Sequence, residues 1–236
     1  MQRHYGMDWL RIGAFQLLIL YHVGMAFVPW PFVVKLADPP IDWATIPMYL
    51  TGPWRLSLLF TVSGYASAAL FAREPTVGAF LRSRAARLGL PLVFGIAVVA
   101  PVQPWVELVT QHGYPRGFLA FLVQDYFRPQ VIAGVILPTW MHLWFVAYLL
   151  VYTGVLGGLL ALPLGWRSRA KHIADRWLAG PLLLPIGVTW IFVARMLPPG
   201  WRESHALVND WSAHATYLPA FLFGVLLEPV WNQADA

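Results

Sequence analysis

Cysteine is absent from the 236 residues, which excludes disulfides, thiolate nucleophiles and thiolate-bound metals. Charge is scarce: 11% of the residues are Asp, Glu, Lys or Arg, where a soluble domain carries about a quarter. The chain also lacks low-complexity tracts, a soluble segment and any internal repeat of about 20 to 50 residues. One domain over residues 1–236 is therefore expected. The net charge of +5 comes without a basic run set in a recognition motif, so no nucleic-acid partner is expected. His4, His112, His172, His205 and His214 stand without metal-ligand spacing, and neither a metal nor a bound cofactor is expected.

What is present is apolar. Hydrophobic residues make up 58% of the chain and the mean hydropathy is +0.59, the usage of a polytopic membrane protein. Windows of about twenty apolar residues predict an all-α transmembrane bundle of six spanning helices, near 9–28, 54–72, 88–108, 141–162, 177–197 and 212–230. Pro91, Pro101 and Pro104 should bend the third. Residues 117–137 are broken by Asp125, Arg128 and Pro129 and read as an interfacial or re-entrant segment, or as a seventh span if they cross. The first apolar run is too long for a signal peptide, and Met25-Ala26-Phe27 is no small-x-small cleavage site.

Lys and Arg orient the bundle. An N-terminus in the cytoplasm puts Arg3, Arg11, Arg73, Arg82, Arg84, Arg87, Arg167, Arg169, Lys171 and Arg176 inside, ten of the sixteen basic residues. Arg11 then marks the cytoplasmic mouth of the first helix, and His22 lies deep within it. Eleven helical residues turn about three times and rise about 16 Å, so the two share one face. An ionisable group at lipid depth is costly and points to function, and imidazole is suited to general-base work. The plainer reading is an arginine reaching for the interface and a histidine bonded to a neighbouring helix.

Arg84 and Arg87, at i and i+3, present two guanidiniums suited to phosphate; membrane anchoring is the competing reading. The small residues around Ser63 and Gly64 read as a helix-packing surface rather than a nucleophile site, since no base and orienting acid can be assigned to Ser63. Gln103, Glu107, Asp125 and His142 fall on the outer side. Interfacial solvation explains Glu107 and an aromatic belt explains His142, while either could line an acceptor site.

Four stretches in order, DWLRIGAFQLLILYHVGM, LFTVSGY, FLRSRAARLGLPLVFG and HLWFVAYLLVY, resemble the membrane-bound acyltransferase 3 family, and the opening is similar to its glucan-modifying branch. The resemblance covers most of 8–152, with a weaker likeness over 210–224. It implies a bacterial inner-membrane enzyme that moves an acyl group from cytoplasmic acyl-CoA to a hydroxyl of a sugar, glycan or lipid. His22 would be its catalytic histidine, Arg11 the motif partner, and Arg84 and Arg87 donor-binding residues. Family members usually have about ten or more spans, so incompleteness at the C-terminus is expected. A proton-coupled transporter or channel, with His22 as a relay, is the alternative from another class; a purely structural subunit is a third.

Overall fold

The computed structural model describes residues 5–30, 32, 35–36, 38–73, 76–163, 165–166, 168–169, 172, 176, 189–190 and 205–234. Among them helix dominates: α1 (Tyr5–Met25), α2 (Thr45–Phe71), α3 (Val77–Phe94), α4 (Val102–His112), the short α5 (Phe118–Phe121), α6 (Trp144–Leu160) and α7 (Trp211–Ala234). One two-stranded antiparallel hairpin, β1 (Gln130–Ile132) and β2 (Val135–Leu137), pairs Val131 with Ile136.

Among the described residues two segments, Val77–His112 and Met141–Leu160, are long and apolar enough to cross a membrane. The expected count of six or seven spans is not reached on that criterion. Helices α1, α2 and α7 are long enough but more polar, and the expected span at 177–197 lies outside the described residues apart from 189–190. Large apolar side chains nevertheless face outward along α1 (Trp9, Ile12, Ile19, Leu20) and α3 (Leu90, Val93, Phe94). A patch of that extent is a liability in water and suits lipid.

The second helix starts earlier than hydropathy alone indicates, at Thr45 rather than near 54. A 3-10 turn, Asp42–Ala44, leads into it, and Thr45 Oγ1 donates to Asp42 O at 2.6 Å. Pro47 falls in the first turn, where no amide hydrogen is needed. Pro53 sits inside, amid side-chain donors: Thr51 Oγ1 bonds Pro47 O and Trp54 Nε1 bonds Leu50 O, both at 2.8 Å. The third helix likewise begins at Val77, not near 88, because 77–87 is helical in spite of its arginines. The regular α-helix is interrupted in the region where a bend was expected. Pro91 lies within α3, and a π-turn, Gly95–Val99, separates α3 from α4.

Residues 117–137 do not form a spanning helix. They build a cap from α5, a second π-turn (Leu122–Tyr126) and the hairpin. The hairpin turns through Ala133 (φ 47°) and Gly134 (φ 88°), two left-handed residues matching the strand twist. Leu108, Phe121, Tyr126 and Leu137 form the core of the cap. Tyr126 Oη lies 2.8 Å from Ile96 O and 2.9 Å from Thr139 O. Its hydroxyl thus reaches a carbonyl in the π-turn, which ties the cap to the break.

The main core is Phe60, Phe80, Tyr148, Leu149, Tyr152, Leu156, Ala213, Tyr217 and Phe221. Helices α2 and α7 make the most extensive contact. They run parallel, since Phe60 meets Tyr217 and Gly64 meets Phe221. A Cβ on Gly64 would overlap Phe221 O, one on Gly224 would overlap Thr61 O, and Thr61 Oγ1 donates to Ala220 O at 3.1 Å. The small-residue surface is thus a packing surface, as expected. Helices α3 and α6 are antiparallel, with Leu81 against Gly157 and Leu143 against Gly95. Helices α1 and α2 are antiparallel too, with Gly24 beside Met48 and Tyr21 beside Gly52.

Gly64→Ala is expected to lower stability by about 1–3 kcal/mol through overpacking. Gly89→Ala, whose Cβ would meet nothing within 4 Å, should be neutral or stabilising by up to about 1 kcal/mol. Thermal unfolding in detergent micelles compares them, and equal midpoints would contradict the backbone-contact reading.

Candidate functional site

His22, near the C-terminal end of α1, is half-buried, and its Nδ1 lies 2.8 Å from Leu18 O. A carbonyl only accepts, so Nδ1 carries the hydrogen and Nε2 of the neutral ring keeps a lone pair. The ring meets His142 edge-on, with centroids 5.5 Å apart. Both line a chamber of about 660 Å³ together with Arg55, Gln103 and His205, between aromatic walls that include Tyr21, Trp30, Tyr49, Trp144 and Tyr217.

Each wall has a local cause. Lys35 Nζ donates to Met25 O (2.9 Å) and Val28 O (2.7 Å), capping the C-terminus of α1 with a cation, where the helix dipole favours one. Leu36 N–H bonds Ala26 O and Ile41 N–H bonds Phe27 O, which folds the following loop back and brings Trp30 to the chamber. Arg55 stacks on Tyr21, its Cζ 3.3 Å from the ring centroid, and donates to Gly52 O at 3.3 Å. His205 lies flat against Trp144, centroids 4.1 Å apart, on left-handed backbone (φ 55°).

Asp210 holds that last wall. It is 1% exposed. Its Oδ2 accepts from Tyr148 Oη (2.8 Å) and His205 N–H (2.7 Å), and its Oδ1 accepts from Ala213 N–H (3.2 Å) at the start of α7. One carboxylate thus caps a helix and fixes the loop carrying His205. Below it, His214 Nε2 donates to Leu207 O (2.6 Å), leaving Nδ1 to accept from Tyr152 Oη (3.0 Å).

The structure separates the other expected site residues from His22. Arg11 lies about 16 Å along α1 by helical rise. It acts electrostatically on Arg84, as does Arg87. Arg84 is buried and its Nε has no hydrogen-bond partner; Arg87 is exposed. The site therefore has a histidine end and an arginine end. Of the four polar candidates weighed from sequence, Gln103 and His142 line the chamber, whereas Glu107 and Asp125 are not among its described lining residues. Sequence reasoning missed Arg55, His205 and Asp210. Arg55 reads from sequence as one of the outer-loop basic residues, whereas it lies inside a helix that begins at Thr45, and His205 carries no spacing signal. The Asp that precedes the final apolar run was the one readable cue, as an N-cap.

Asp125 belongs to the cap. Tyr114 Oη donates to its Oδ2, as does Arg116 Nη1 at 2.7 Å, while Gln130 Nε2 bonds Asp125 O at 2.6 Å. The Tyr114 hydrogen bond, aided by Arg116, holds the Asp125 carboxyl below its usual range. Burial and the Asp125 carboxylate push the Tyr114 hydroxyl up.

A polar, imidazole-lined chamber at one end of an apolar helix pack, with clustered guanidiniums at the other, defines a membrane-associated helical protein built to carry an ionisable site among apolar helices. The family described as "Acyltransferase domain" matches residues 4–234, and the chain belongs to this acyltransferase 3 family, whose proteins are membrane proteins. It is 26% identical over 152 residues to "Glucans biosynthesis protein C" of Escherichia coli O1:K1, of O139:H28 strain E24377A and of O9:H4 strain HS. The matched stretch is 64% of this chain and 37% of each relative. No solved structure matches the chain.

A depressed carboxyl contributes stability that is complete above its unfolded value of about 3.9 and is lost as pH falls through the lower folded value. Hydrogen exchange over 118–137 should therefore stay protected from neutral pH to about pH 4 and weaken only below it. Asp125→Asn should be less protected at neutral pH and flat with pH. Loss of protection near neutrality in the unmodified protein would rule out Asp125 as the cause.

Proposed function

We propose that this protein is a membrane acyltransferase moving an acyl group from acyl-CoA to a hydroxyl of a sugar, glycan or lipid, with His22 as general base. The observation that carries this reading is the tautomer of His22: within a member of the acyltransferase 3 family, a ring whose Nδ1–H is committed to Leu18 O has its Nε2 lone pair available in a chamber large enough for a ligand. Family membership also favours transfer over transport.

In the proposed reaction the acceptor hydroxyl enters the chamber and gives its proton to His22 Nε2 as its oxygen attacks the thioester carbonyl. The tetrahedral intermediate collapses, the C–S bond breaks, and the thiolate takes the proton from His22. The products are an ester and free coenzyme A, and the ring returns to its starting state. The Leu18 carbonyl keeps Nδ1 protonated throughout, so one nitrogen serves both steps. Polar chamber groups such as Gln103 and His142 would stabilise the oxyanion. Arg84 and Arg87 bind the phosphates of the donor. On this reading α1 and α3 cross from the cytoplasm outward, the N-terminus is cytoplasmic, six helices span the inner membrane with 177–197 among them, and the arginine end is the donor side.

Proteoliposomes supplied with acyl-CoA and envelope glycans or lipids test this. His22→Ala should reduce transfer by about 10²–10⁴-fold without altering insertion. Replacing Arg84 and Arg87 by Lys should weaken acyl-CoA affinity more than it changes thermal stability. Full transfer by a correctly inserted His22→Ala protein would overturn the assignment.

A further inference from the structure

The stretch 118–126 of the cap, α5 followed by a π-turn, is apolar on two opposite sides. Phe118, Phe121, Leu122 and Tyr126 pack into the cap core. Leu119, Val123 and Phe127, spaced i, i+4 and i+8, form a second stripe that is 74%, 76% and 53% exposed. A helix whose outer face meets water carries polar groups there, and this stripe carries none. Asp125 stands two residues from both Val123 and Phe127, which turns it roughly 200° away from them on a helix, to where Tyr114 and Arg116 hold it. The hairpin repeats the pattern: Val131 and Ile136, partners across the strands, are both exposed.

The cap is docked within the apolar outer band of its neighbour. Tyr126 Oη lies 2.8 Å from Ile96 O and 2.9 Å from Thr139 O. On either side of Ile96 the chain turns large apolar side chains outward, Val93 and Phe94 before it and Val98, Val99 and Val102 after it. All of these lie in the segment Val77–His112, which is apolar enough to cross a membrane. Tyr126 therefore anchors the cap at a level where α3 and its continuation face lipid on both sides. Irregular backbone at such a place has to find its hydrogen bonds within the protein. Here Asp125 O, at the end of the π-turn, accepts from Gln130 Nε2 at 2.6 Å and from Arg128 N–H at 3.2 Å. The Arg128 side chain, exposed and next to Phe127, is long enough to carry its charge out to a headgroup.

We propose that the cap is seated in the bilayer against phospholipid, with Leu119, Val123 and Phe127 among the acyl chains and Arg128 at the headgroup level. Lipid fits this surface better than a protein partner does. The anchor of the cap shares the level of the lipid-facing side of α3, and the stripe has no charged or hydrogen-bonding side chain of the kind that rims a protein interface. An amphipathic element lying in the interface plane has the same division, apolar face inward and charge at the edge. The proposal stands independently of acyl transfer.

The absence of native cysteine makes the test direct. Single cysteines are introduced into the full chain as Leu119→Cys, Val123→Cys and Phe127→Cys, labelled with a nitroxide and reconstituted in phosphatidylcholine nanodiscs. Electron paramagnetic resonance then measures collision of each label with oxygen, which concentrates among acyl chains, and with a water-soluble nickel chelate. Val98→Cys on the outward side of the π-turn after α3 is the lipid reference, and Arg73→Cys in the exposed turn after α2 is the water reference. The oxygen-to-nickel ratio of the stripe labels should match that of Val98→Cys and exceed that of Arg73→Cys by about fivefold or more. Arg128→Cys should fall between the references. Any two of the three stripe positions decide the outcome, so one poorly folding variant does not. Ratios equal to that of Arg73→Cys would put the stripe in water. Exclusion of both reagents would put it under protein, a second copy of the chain or another partner. Either result would overturn the proposal.

Discussion

The backbone-to-backbone crossing of α2 and α7 at Gly64 and Gly224 is the contact on which the rest of the structure depends. Neither position has room for a side chain, so the two helices lock in one register and Thr61 can bond Ala220 O across the gap. In lipid, close approach of backbones and bonds of this kind replace the hydrophobic drive that would press helices together in water. The register has consequences one and two turns away. Phe60 stacks on Tyr217 with centroids 4.8 Å apart, and Tyr217 in turn neighbours Trp144. The floor of the chamber is therefore set by two glycines that contribute nothing to it chemically.

A second constraint shapes the rim. Where a helix breaks away from water, its freed carbonyls need donors and its freed amides need acceptors, and the partners found here tie distant parts of the chain together. Tyr126 reaches back from the cap to Ile96 in the π-turn; Lys35 reaches back to the end of α1; Asp210 accepts from α6, from the loop and from α7. The Lys35 bonds fold the loop carrying Trp30, and the Asp210 bonds fix the loop carrying His205, both beside the chamber. The π-turn at Gly95–Val99 further displaces the continuation of α3, so that α4 presents Gln103 to the chamber.

The same physics explains what was legible in the sequence. Residues on one helix, such as Arg11 and His22 or Arg84 and Arg87, have relations fixed by 3.6 residues per turn, and a glycine in an apolar helix signals close approach. The interruption at Gly95–Val99, one turn after Pro91, and the one around Asp125 were readable because proline and charge act locally. Arg55 and His205 were not, since their roles depend on which helix stands opposite. Arg55 is defined by Tyr21, thirty-four residues away, and His205 by Trp144 and Asp210. Asp125 shows the reverse: its charge marked a break, but its partners Tyr114 and Arg116 make it a structural group in the cap.

The two ends of α1 also place different demands on the helix. At the histidine end a single hydrogen bond within the helix fixes the tautomer, and that bond is independent of any neighbour. In the neutral ring this contact leaves the Nε2 lone pair free, an arrangement set within α1 itself. At the arginine end Arg11 is exposed, while the buried Arg84 of α3 leaves its Nε without a hydrogen-bond partner among the described residues. About three helical turns, or about 16 Å, separate Arg11 from His22 on α1, so each end answers to a different set of neighbours.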